Sequence, residues 1–196
     1  MAKITDGTGN GLSSRVDGNN RLHVHSVQVT EVVHSAEQGL AFNLNTGLIS
    51  LTADGTLLYI QNNETRDLVV EAIALGNDGG ATHSLRPLLT VTRNPTGGDL
   101  ITDATSADFN QNRDFGSSRV LGADVFKGKV GGTISGGDTI AILQASPAGR
   151  DFYTINFVLP EGASIGLSYS ANISSGTAQV YAAAVCYLRD PEGQDN

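Results

Sequence analysis

DFYTINFVLPEGASIGLSYSANISSGTAQVYAAAVCYL, residues 151–188, alternates apolar and polar side chains along three successive segments. A β-strand sends successive side chains to opposite faces, so a period of two marks strands with one buried face. Over 151–159 one face carries Tyr153, Ile155, Phe157 and Leu159; over 163–170 it carries Ala163, Ile165, Leu167 and Tyr169, against Ser164, Gly166, Ser168 and Ser170 on the other. The intervening Pro160-Glu161-Gly162 has room only for a turn, which makes the two segments a hairpin. The third segment turns Ala178, Val180, Ala182, Ala184, Cys186 and Leu188 inward. Its other face carries Tyr181, Val185 and Tyr187, apolar for a face left to water, and these residues are expected to form an oligomer interface.

Upstream, the ranges 22–33, 40–45, 48–52, 57–62, 68–75, 88–92, 120–126 and 139–145 also read as strands, separated by turn-forming stretches such as NTG, ADGT, NNET, NDGG and SGG. About ten short strands predict an all-β fold, a jelly-roll-like antiparallel β-sandwich. Residues 93–118 are mostly polar, with Leu100 and Ile101 as their one adjacent apolar pair, and are expected to be a long loop that protrudes to bind something or lacks order. Residues 1–21 offer only Met1, Ala2, Ile4, Leu12 and Val16 as apolar side chains, too few for a buried face. They are expected to form an extended N-terminal arm, with the sandwich over 22–190 and a C-terminal tail over 191–196.

The chain has 12 Lys and Arg against 20 Asp and Glu, a net charge of −8, and so lacks the basic stripe through which nucleic-acid phosphates are held. No apolar run approaches the ~20 residues of a membrane-spanning helix or resembles a signal peptide. A single cysteine excludes an internal disulfide and fits folding in a reducing cytoplasm. No nucleic acid and no membrane are therefore expected as partners, and the 196 residues suit one core.

His23, His25, Glu31 and His34 lie close together in sequence, as metal ligands do. The order His-x-His, Glu, Gly resembles the first metal motif of the cupins, but the five residues between His25 and Glu31 exceed that motif's spacing and turn the carboxylate to the other side of an alternating strand. No histidine follows Pro160 and Gly162, and the one remaining, His83, lies in a turn. His23 and His25 are accordingly read as residues of a first strand, beside Val27 and Val29, with a metal site on His23, His25 and Glu31 as the alternative. Asp6, Thr8, Asn10, Gly11 and Asp17 sit near calcium-loop positions without flanking helices or the bidentate glutamate, and Gly7, Gly9 and Gly11 lack the strand and helix of a dinucleotide site. No G-x-S-x-G elbow occurs, Cys186 faces inward, and the carboxylates fall mostly in turns. The expectation is a protein that is not an enzyme and has no cofactor.

The stretch ITDGTGNGLSSRVDGNNRLHVHSV resembles the N-terminal segment of a group of tailed-bacteriophage virion proteins, through Ile4, Asp6, Gly7 and Gly9, then Val16, Asp17, Asn20, Arg21, Leu22, His23, Val24, Ser26 and Val27. LLYIQNNETRDLVVEAIAL (57–75) and LPEGASIGLSYSANISSGTAQVYAAAVCYL (159–188) resemble the same group, the latter its closing jelly-roll strands. The resemblance implies a virion structural protein, read as a capsid decoration (cement) protein whose partner is the major capsid protein or another virion protein. It also implies a homotrimer assembled into particles in the host cytoplasm. The arm would supply the partner-binding residues Ile4, Leu12, Arg15, Val16 and Arg21. A neck, baseplate or tail-fibre component, a cupin-like metal-binding enzyme and a carbohydrate-binding sandwich stand as alternatives. Aromatics at 6% with no Trp are adverse to the last, because sugars are usually bound against aromatic faces.

Overall fold

The computed structural model describes residues 31–101 and 111–190, together with the backbone of 4–5, 13–16, 22–23, 102, 105–106 and 110. The chain falls into two compact units, Met1–Thr30 and Glu31–Asn196. In the first, β1 (Ile4–Thr5), β2 (Ser13–Val16) and β3 (Leu22–His23) pair antiparallel in that order, so the terminal segment pairs with itself. Leu22 was expected to begin the sandwich; the division falls instead between Thr30 and Glu31, because Leu22 and His23 pair with Val16 and Arg15.

The second unit opens with a helix, α1 (Glu31–Glu37), which corrects the expected strand over 22–33 at residues 31–33; Leu22–His23 is a strand, and 24–30 lie outside the described residues. Val32 and Ala36, one turn apart, pack on Ala41, Val69 and Tyr187. Gly39 ends the helix at φ +67°. There Gly39 N–H donates to Ala36 O at 3.0 Å and Leu40 N–H to Ser35 O at 2.7 Å, a Schellman closure.

The sandwich is built from β4 (Ala41–Asn45), β5 (Ile49–Leu51), β6 (Gly55–Asn62), β7 (Asp67–Asn77), β8 (Ala81–His83), β9 (Leu88–Arg93), β10 (Gly97–Gly98), the helix α2 (Asp99–Thr102), β11 (Thr105–Ser106), β12 (Asn110–Asn112), β13 (Ala123–Lys127), β14 (Ile134–Ser135), β15 (Asp138–Gln144), β16 (Gly149–Leu159), β17 (Ser164–Ser170), β18 (Ile173–Gly176) and β19 (Ala178–Arg189). One sheet runs β12-β4-β19-β7-β16, with β5 also on β19; the other runs β11-β13-β6-β17-β9-β15. Taking β4, β6, β7, β9, β15, β16, β17 and β19 as strands one to eight, the two sheets read 1-8-3-6 and 2-7-4-5, the double Greek key of a jelly roll.

Between the sheets lies one apolar core. Its side chains are those the alternation placed inward: Ile165, Leu167 and Tyr169 from β17, and Ala178, Val180, Ala182, Ala184, Cys186 and Leu188 from β19, all at most 2% exposed. They meet Phe42 and Leu44 of β4, Leu58 and Ile60 of β6, and Ile73 and Leu75 of β7. The buried Tyr169 hydroxyl accepts a hydrogen bond from Asn77 Nδ2 at 3.0 Å, which satisfies both polar groups inside the core.

The segment 93–118 is not one free loop. Leu100, on α2, is 2% exposed, and β12 pairs with β4 along the sheet edge. The outer face of β6 and β17 gives this segment its landing place: Tyr59 is buried there, stacked on Phe126 at 5.7 Å. A Cβ on Gly166 would come within 2.6 Å of Ile134. One or two apolar side chains suffice to dock a polar stretch when the surface they meet is itself apolar.

Candidate functional site

The expected interface on the outer face of β19 is partly covered from within. Tyr187 lies under α1, and its hydroxyl donates to the Glu31 carboxylate at 3.2 Å. Burial, then the nearby Glu31 charge, holds the Tyr187 hydroxyl above its ordinary pKa. Tyr181 rests its ring on Gly76, where a Cβ would come within 2.0 Å of Tyr181 Cε1. Val185, half-buried, pairs across to Asn43 and Ala72. The covering expected from a partner is thus supplied at Tyr187 by the chain's own helix, because alternation along β19 shows which face is apolar and not what lies on it.

Of the arm residues, Ile4 pairs with Ser14, Arg15 with His23 and Val16 with Leu22 through the backbone; Leu12 and Arg21 lie outside the described residues. Of the metal candidates, His23 is on β3, His25 lies outside the described residues, and Glu31 starts a helix and not the alternating strand assumed for it. His83 is on β8, where its Nδ1 is 2.6 Å from Ala171 O. Among the described residues, no three His, Cys, Asp or Glu side chains are placed to hold a metal ion. The purified protein is expected to carry well under one equivalent of zinc, iron or manganese, and chelation should leave its melting temperature unchanged. Stoichiometric metal lost on His23→Ala would overturn that expectation.

Two surface features stand out on opposite sides of the sandwich. At one side β15 and β16 end their sheets next to each other, joined by a short turn that Asp151 closes by accepting from Ser146 N–H at 2.7 Å and Ser146 Oγ at 2.8 Å. Between the two strands opens a cleft of about 450 Å³, lined by Ile140, Phe157, Val158, Leu159, Pro160 and Ala163 among others. Inward-facing Ala141, Leu143, Tyr153, Ile155 and Phe157 reach the core here but are only partly buried. At the other side, after β12, the loop 113–119 carries Phe115 with its side chain fully in solvent, at 102% exposure.

That loop is fixed by its own polar groups. Asn112 Oδ1 accepts from Asp114 N–H and Asp114 Oδ1 from Gly116 N–H, both at 2.9 Å, while Ser117 N–H donates to Asp114 O at 3.0 Å. Asn112 Nδ2 reaches Gly39 O at 2.9 Å, and Arg113 N–H donates to Ala41 O at 2.9 Å, anchoring the loop to the sheet. Neither feature was singled out in the sequence. The signal for the loop was a lone aromatic amid Asn112, Asp114, Gly116 and Ser117, all turn formers.

No protein-family model, curated protein or solved structure matches the chain.

Proposed function

We propose that the chain is a non-enzymatic structural protein of a tailed-bacteriophage virion, and specifically a homotrimeric capsid decoration protein that binds the capsid surface and stabilises the head. The observation that carries this reading is the division of the chain: a jelly-roll body is preceded by a separate unit that holds the stretch Ile4–Val27 on which the resemblance rests. In this reading the body is displayed and the first unit ties it down, through Ile4, Leu12, Arg15, Val16 and Arg21. A protein of net charge −8 has little attraction for packaged nucleic acid, which fits a role at protein surfaces.

The test is to add the full-length protein to particles lacking it. Saturable binding and heads that resist heating better are the expected results; no binding to heads would overturn the decoration role, and binding only to necks, baseplates or tails would move the protein there. Replacing Ile4, Leu12 and Val16 together by Asp should abolish binding while leaving the melting of the sandwich unchanged, since that core is built within Glu31–Asn196. Undiminished binding by this variant would show that the tether lies elsewhere.

A further inference from the structure

We propose that copies of this chain join head to tail, Phe115 of one copy seating in the β15–β16 cleft of the next, with Arg113 of the first facing Glu161 of the second. The proposal deepens the assembly role given above and rests on it for its biological setting, but it concerns the protein free in solution.

Four observations carry it. First, knob and socket lie at opposite ends of one sheet: β12, which leads into the Phe115 loop, is the first strand of the order β12-β4-β19-β7-β16, and β16, which lines the cleft, is the last. A contact between two different patches is heterologous, and such contacts close into rings when the rotation between copies allows. Second, both halves are apolar and uncovered. Phe115 is wholly exposed, while Val158 and Ile140 at the cleft are 43% and 38% exposed. A cleft of about 450 Å³ is within the size range of sites that bury a large side chain or small ligand.

Third, Arg113 beside the knob and Glu161 beside the cleft, between the lining residue Pro160 and Gly162, carry opposite charges, and among the described residues neither has an ion-pair partner, whereas the cation that lines the cleft, Arg93, is already paired with Asp138. Fourth, the strand edge is poorly suited to the other obvious mode of docking, addition of a strand. β16 carries a register shift between Thr154 and Phe157, and Asn156 sits at φ 50°. An irregular edge of this kind discourages backbone pairing and leaves the side-chain cleft as the docking element. The hydrogen bonds holding the loop also mean that little order is lost when Phe115 is buried.

The experiment is light scattering with sedimentation on the full chain across a micromolar range. The wild type should form a closed oligomer, and Phe115→Ala should weaken self-association by about 30-fold or more, the usual loss for a central aromatic, with an unchanged melting temperature. Val158→Arg should do the same from the socket side, with Ile140→Asp as a second variant in case the first lowers stability. Mixing Phe115→Ala with Val158→Arg should give pairs and nothing larger, because only one intact junction remains. Arg113→Glu and Glu161→Arg should each weaken assembly and the double variant should recover part of the loss. A monomeric wild type, wild-type masses for Phe115→Ala, or no pairs in the mixture would each overturn the proposal. None of these results depends on particles, so failure to bind a capsid would leave them intact.

Discussion

Asn62→Leu is expected to destabilise the sandwich by about 3 kcal/mol, although leucine keeps the branched skeleton of asparagine and is apolar at a buried site. Asn62 ends β6, is fully buried, and closes two hairpins at once. Its Nδ2 donates to Leu159 O and to Arg66 O, each at 2.8 Å, and its Oδ1 accepts from Glu64 N–H at 3.0 Å. Leucine satisfies none of these. The Leu159 carbonyl faces the buried side and would lose its side-chain donor without access to water, whereas Arg66 O and Glu64 N–H are less deeply placed and can recover some hydration. The loss should therefore exceed that of one hydrogen bond and fall short of three fully buried ones. Against a total stability of about 5–15 kcal/mol for such a domain, this is a large fraction. Denaturant titration should show a lower midpoint at unchanged slope. A change below about 1 kcal/mol would mean that water replaces the amide at all three positions.

The jelly roll was legible where burial is one-sided. β15, β16 and β19 lie within one or two residues of the expected segments because each alternates along most of its length between a more buried and a more exposed face, and β17 does so because Ser164, Gly166, Ser168 and Ser170 keep the period opposite Ile165, Leu167 and Tyr169 although its outer face is covered. α1 was not legible for a related reason. The stretch from Leu22 to Val33 alternates acceptably as a strand, and a helix of seven residues leaves only the pair Val32 and Ala36 as its periodic signal. Its stop was written more clearly than its body: Gly39 followed by Leu40 is the Schellman ending seen in the structure.

Docking of the segment 93–118 was illegible because it depends on the surface it meets. Leu100 alone cannot reveal that the outer face of β6 and β17 is apolar, since Tyr59, Phe126 and Gly166 come from three strands brought together only by topology. The same limit applies to the candidate interface. Tyr181, Val185 and Tyr187 were correctly seen as a second apolar face, but helix α1, more than a hundred residues away in sequence, is what rests on Tyr187. Phe115 and the β15–β16 cleft become a matched pair only when strand order places them at opposite ends of a sheet.

Cys186 is expected to resist thiol reagents in the native protein by at least about a thousandfold relative to a free thiol. It is the one cysteine of the chain, lies on the central strand β19, and is fully buried, with Phe42 and Val70 as its partners across the ladder. Reagents attack the thiolate, and burial pushes the Cys186 thiol well above its ordinary value, so the group is both enclosed and protonated. No edge movement exposes a central strand, so labelling requires opening of the core; at about 5 kcal/mol, the low end for a domain, opening is populated about once in several thousand. Asn62→Leu, if it costs about 3 kcal/mol, should then speed labelling by about a hundredfold, which ties the two measurements together. The pH dependence has a definite sign. A thiol raised in the folded state contributes stability that is complete below its unfolded value, near 9.0, and declines as pH rises beyond it. Tyr169, raised by burial to about 12 from 10.0, adds a further decline through that interval. Labelling should consequently accelerate above pH 9 more steeply than the thiolate fraction of an unfolded peptide does, and Tyr169→Phe should remove the tyrosine part of the excess at the highest pH. Rapid stoichiometric labelling at neutral pH, at the rate of a free thiol, would place Cys186 outside the core and undo the assignment of β19 as the central strand.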